Sequence, residues 1–150
     1  MRRTTLVSAL SLGVAGLLLS ATAAVANGKG DEKMDVNLRG FEEVPVTVSG
    51  GSGQLQLDIN AAAGTIAYSL SYQNLEGTVT QAHIHIGQRN VAGGIALWLC
   101  QTTTAPAPAA AGSVPTCPGP NSGTVSGTLT AANVIGPTGQ AVPAGSLDDV

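Results

Sequence analysis

The sequence predicts an all-β fold, an antiparallel sandwich or barrel preceded by a helical export leader. Two observations carry this expectation. Apolar and polar residues alternate in short runs, the period at which a strand turns one face to a core and the other to water. The chain is also rich in Gly, with 20, and poor in charge, with 10% Asp, Glu, Lys and Arg. Such a composition suits short strands and tight turns better than helices.

Before the strands comes a segment of a different kind. Met1-Arg2-Arg3 is followed by residues 6–19, which carry no charge, and then by Ala24-Val25-Ala26. A basic start, an apolar middle and an Ala-x-Ala ending describe a secretory signal peptide over 1–26, cut before Asn27. The alternative is a membrane anchor, since residues 6–26 are long enough to span a bilayer. The Ser, Thr, Ala and Gly content and the small-residue ending favour the signal. Arg2-Arg3 alone is weak support for the twin-arginine route, and no Cys ends the apolar stretch to accept a lipid. The expected product is secreted or periplasmic and free of the membrane. Without Arg2 and Arg3, four of the six basic residues remain against nine acids. That balance offers no electrostatic footprint for nucleic acid or anionic lipid.

Residues 27–33, "NGKGDEK", form a polar leader expected to be disordered. A single β domain then occupies 34–150. Met34, Val36 and Leu38 alternate with Asp35, Asn37 and Arg39. Leu55, Leu57 and Ile59 alternate with Gln54, Gln56 and Asp58, then "NAAAG" turns the chain into Ile66, Tyr68, Leu70 and Tyr72. These two runs predict an antiparallel hairpin. A further strand is expected from about Thr78 to Ile86, with Ala82, Ile84 and Ile86 on one face and Gln81, His83 and His85 on the other. "IALWLC" is apolar on both faces, as a central or doubly covered strand would be. "SGTVSGTLT" supplies the last strand, with Val125 and Leu129 on one side. Near the end, Ser146 and Asp148-Asp149 look like a helix beginning, with Ser146 able to cap.

Cys100 and Cys117 are the two cysteines of the chain. In an exported protein they are expected to pair as a disulfide. The Pro/Ala/Thr stretch between them shows no periodicity, so a loose loop with little to bury is expected. Thiolate metal ligation is the minor alternative, because neither a CxxC spacing nor a nearby His supports it.

Taken together, "VNLRGFEEVPVTVSGGSGQLQLDI", "LEGTVTQAHIHIG" and "GTLTAANVIGP" resemble the CHRD (chordin-type) domain family. The marks are Gly40 with Glu43-Val44-Pro45, the Gly53-x-Leu-x-Leu strand, Ala82-His83-Ile84-His85 and residues 127–137. Val46 stands where the family often has a second proline. The resemblance implies an immunoglobulin-like or superoxide-dismutase-like β-sandwich or barrel, and no settled biochemical activity. Family members usually continue through a helix into a closing strand, so a chain truncated at its C-terminus is the expectation. The implied role is a non-enzymatic, extracytoplasmic binding or structural module, needing no cofactor, whose partner is an unknown extracellular protein or ligand.

The histidines give the alternative. His83 and His85 are the only two in the chain. Residues i and i+2 on a strand point the same way, about 6.5–7 Å apart, so two imidazoles can share one copper or zinc ion. Copper/zinc superoxide dismutases supply two copper ligands from a similar His-x-His strand. Dismutation itself fails on ligand count, because that chemistry needs further histidines. Glu43, Glu42 or Asp58 are the carboxylates that could complete a looser site. Other chemistry is poorly served. Neither His stands in a Ser or Cys nucleophile context, and "SGGSG" opens no helix and carries no Lys to cradle phosphate. Glu42 and Glu43 are adjacent and would face opposite ways on a strand, so they cannot work as an acid/base pair. Trp98, inside an apolar run, is expected in the core. Asn74, Asn121 and Asn133 lack the glycosylation pattern.

Overall fold

A computed structural model describes residues 30–150. The expected signal peptide, with the start of the polar leader, lies outside the described residues. Six strands follow in order: β1 (Glu32–Arg39), β2 (Ser52–Asn60), β3 (Thr65–Gln73), β4 (Ala82–Ile86), β5 (Gly94–Cys100) and β6 (Gly123–Thr130). They form a four-stranded sheet ordered β1-β2-β3-β6 and a two-stranded sheet β4-β5. Every strand pair is antiparallel. The expected β-sandwich is therefore the architecture found.

Alternation explains the larger sheet. Ile66, Tyr68, Leu70 and Tyr72 are buried along one face of β3. Their β2 and β6 neighbours on that face are Leu55, Val125 and Leu129, also buried. The smaller sheet adds Ala96, Leu97, Leu99 and Cys100 to the same core. Tyr68 ties the layers with a polar contact as well. Its hydroxyl donates to the Leu99 carbonyl at 2.6 Å, and burial raises its pKa above the ordinary phenol value. Gly127 lies opposite Tyr68 in the β3–β6 register, where a Cβ would sit 2.8 Å from the tyrosine ring. The missing side chain is the room the ring occupies.

Two boundaries differ from expectation. Strand β1 starts at Glu32, which takes Glu32 and Lys33 out of the predicted disordered leader. The ladder with β2 runs on to the Glu32–Ile59 pair, and the charged ends of Lys33 and Asp58 meet across it at the surface. Strand β4 begins at Ala82, not Thr78. Before it, the Val79 N–H donates to the Pro120 carbonyl at 2.8 Å, and the Thr80 carbonyl accepts from the Thr102 hydroxyl at 2.8 Å. Those partners are loops, so pairing with β5 cannot start earlier.

The stretch between the cysteines is the main correction. Cys100 and Cys117 form a disulfide, and both are buried. The intervening loop is neither loose nor without a core. Ala111 and Val114 are buried against Trp98, forming a second apolar cluster on the face of β5 away from the main core. The Gln101 side chain braces the loop from inside, donating to the Val114 carbonyl and accepting from the Ala107 N–H, both at 2.8 Å. Strand β5 is thus covered on both faces as expected, although it lies at the edge of a two-stranded sheet. Its second side receives the Ile135 N–H, which donates to the Ala96 carbonyl at 3.0 Å.

Segment 130–135 holds this arrangement together. Asn133 closes a capping box with Thr130, and its side-chain amide donates to the Ala111 carbonyl at 3.0 Å. The helix start expected at the C-terminus is a single 3-10 turn, Leu147–Asp149. There the Ser146 hydroxyl donates to the Asp149 carboxylate and makes no cap bond to the backbone.

Two measurements follow from this packing. Tyr68→Phe removes the bond to the Leu99 carbonyl inside the core, and chemical denaturation should show a loss of about 1–2 kcal/mol. Removing the disulfide with Cys100→Ala/Cys117→Ala should cost about 3 kcal/mol, through freedom returned to the unfolded chain.

Candidate functional site

The pairing of β4 with β5 decides where the histidines point. Register shifts fall between Ala82 and His83 and again between Ile84 and His85. Ala82 faces Cys100 but His83 faces Trp98, so Leu99 is passed over; Ile84 faces Leu97 but His85 faces Ile95, so Ala96 is passed over. Each shift gives β5 one extra residue. In consequence Trp98 and Ile95, which simple alternation would separate, both lie opposite histidines. Ala82, Ile84 and Ile86 pack towards the main core, and His83 packs on the side of Trp98.

The three rings form one group. The His83 and His85 centroids lie 4.6 Å apart, edge to face at 79°. His83 and Trp98 lie 5.3 Å apart at 71°. His83 is half-buried and His85 exposed. The His85 Nδ1 lies 2.7 Å from the Gly93 carbonyl. A carbonyl only accepts, so Nδ1 carries the hydrogen and the neutral ring keeps its lone pair on Nε2. Burial lowers the pKa of His83, and the neighbouring His85 lowers it further, against a hydrogen bond to its own backbone. Trp98 brings an unusual feature: its indole Nε1 is buried and has no hydrogen-bond partner.

Of the residues singled out in the sequence, His83 and His85 are brought together. The carboxylates are not. Among the described residues no group of three His, Cys, Asp or Glu could hold a metal ion. Glu43 lines a groove with Ala82 that includes neither histidine. Asp58 is paired with Lys33, and Glu42 belongs to the 3-10 turn after β1. Trp98 is buried as expected, but in the second cluster rather than the main core. Gln140 gave no sequence signal. Its side chain accepts from the Gly94 N–H at 2.6 Å and donates to the Ile86 carbonyl at 2.9 Å, closing the end of the β4–β5 ladder next to His85.

A second feature stands apart from the histidines. After β1 the chain makes a 3-10 turn, Gly40–Glu42, and the Gly40 carbonyl accepts from the Thr47 N–H at 2.8 Å and the Glu43 N–H at 3.2 Å. A Cβ on Gly40 would lie 2.5 Å from the Thr47 carbonyl oxygen, so the closure needs glycine. The closed loop displays Phe41 (73% exposed), Val44, Val46 and Val48 (84% exposed). Beside it runs a groove of about 330 Å³, with Leu38, Leu70, Tyr72, Leu75, Val79 and Ala82 among its lining residues.

The model of the CHRD domain family matches residues 34–135, which include both histidines, both cysteines and the exposed loop. No curated protein and no solved structure matches the chain.

Because burial favours neutral His83, the unfolded chain takes up more protons as pH falls below the ordinary histidine value of about 6.5. The contribution of this group is therefore present above that value and lost as pH falls from there towards the lowered folded pKa. Thermal melts between neutral and mildly acidic pH should show falling stability for the wild type and a flatter profile for His83→Gln.

Proposed function

Since the chain belongs to the CHRD domain family, we propose that it is an extracytoplasmic, non-enzymatic binding module that meets its partner through the loop at 40–48. The observation that carries this proposal is the display of Phe41, Val44, Val46 and Val48 to solvent by a loop whose own backbone bonds hold it closed. Large apolar side chains gathered in one exposed place mark contact surfaces more than chance does. The neighbouring groove gives that surface relief. An extracellular protein is the partner class that such a surface fits.

The chemistry of the chain is compatible with a binder. Its cysteines are joined, so neither is a nucleophile, and the ring nitrogen of His85 is engaged by a backbone carbonyl rather than by a Ser or Cys. The disulfide, together with the signal-like start of the sequence, supports an oxidising compartment outside the cytoplasm.

A second function is supported by one distance. With ring centroids 4.6 Å apart, His83 and His85 are close enough for nitrogens of both to reach one copper or zinc ion at about 2 Å.

The binding role is tested by placing a photo-crosslinking residue at Phe41 or Val48, with Gly64 in the β2–β3 turn as control. Irradiated cells should give one discrete adduct from positions 41 and 48 and none from 64. Equal labelling at all three positions, or none at 41 and 48, contradicts the assignment of the contact surface.

A further inference from the structure

Resting on the metal-binding reading of the histidine pair, we propose that His83 and His85 form a solvent-open site that takes copper(II) in preference to zinc(II) and draws its remaining ligands from outside the described residues.

The donor count comes first. Structural zinc sites are closed by four protein ligands and catalytic ones by three. Among the described residues, no His, Cys, Asp or Glu completes even a group of three. Two imidazoles therefore leave zinc short. Copper(II) stands highest among the divalent first-row ions for nitrogen and oxygen donors, and its tetragonal geometry accepts two nitrogens with oxygens from water.

The ring geometry agrees. Donors on opposite sides of an ion would sit about 4 Å apart, at about 2 Å each from the metal, with ring centres farther out still. The observed 4.6 Å between centroids is too short for that and fits two adjacent corners of a square. The other side of the square then faces outward, because His85 is exposed. Ligands there exchange with solvent or with a group on another molecule, as in a site that passes its ion on.

One ligand is already prepared. Metal-bound histidines usually donate their other ring N–H to a carbonyl, which fixes the tautomer. The His85 Nδ1 contact with Gly93 at 2.7 Å is such a bond, and it leaves Nε2 for the ion. Trp98 closes one flank of the pair, 5.3 Å from His83. It is the chain's single tryptophan, so its fluorescence reports from this place alone.

The test is a pair of titrations of the purified, disulfide-bonded protein with copper(II) and zinc(II) salts in a neutral, non-coordinating buffer. Trp98 fluorescence and the metal bound after dialysis are read together. Expected are one copper per chain, strong quenching of Trp98, and zinc affinity lower by about tenfold or more. His85→Gln, at an exposed position, should abolish both signals while circular dichroism stays unchanged. Zinc bound as tightly as copper overturns the preference but leaves the metal-binding reading standing. Uptake of neither ion above the His85→Gln variant ends both. Copper bound without quenching, or unaffected by His85→Gln, places the ion elsewhere and overturns the site.

Discussion

The structure depends on how β5 is held between two apolar layers. Leu99 and Cys100 stand at the centre of that restraint. The Leu99 carbonyl receives the Tyr68 hydroxyl from the larger sheet, and Cys100 is bonded to Cys117 at the far end of the covering loop. One face of the strand feeds the main core, and the other is sealed by Ala111 and Val114 over Trp98. Fixed on both sides, β5 sets the frame in which its partner strand must pair. The two register shifts in β4–β5 bring Trp98 alongside His83. The chemistry available to the imidazoles is thus settled by packing that does not include them.

Much of this was legible in the sequence where period alone decides. Ile66, Tyr68, Leu70 and Tyr72 alternate without interruption, so β3 and its hairpin with β2 follow from the pattern. The common side of His83 and His85 was legible for the same reason. What the pattern could not show is burial achieved without periodicity. Ala111 and Val114 are small or separated by prolines and glycines, so the loop containing them reads as solvent-facing. Its order comes from Gln101 and Asn133, polar side chains whose partners lie on loops and follow no repeat. The register shifts were invisible too, since an extra residue in a strand leaves both flanking runs apolar. For that reason the placement of Trp98 beside the histidines appears only in three dimensions. The carboxylates were hardest of all, because nothing local states how near Glu43 will come to the histidines.

The two surface features divide the molecule by chemistry. On the groove side, Phe41 and three valines project from a loop closed on the Gly40 carbonyl, where shape and apolar area govern contact. Elsewhere two imidazoles, backed by the buried indole of Trp98, form a small patch governed by lone pairs. Neither histidine lines the groove beside the loop. The sandwich carries both because one is built on the loop after β1 and the other on β4.

Gln140 gives the histidine strand a remote point of attachment. One amide side chain, 46 residues from Gly94 and 54 from Ile86 in sequence, latches the two strand ends beside His85. A substitution at Gln140 would thus free the end of the β4–β5 ladder while leaving the sequence of both histidines untouched. The setting of the two imidazoles thus leans on a residue that their own short motif does not contain.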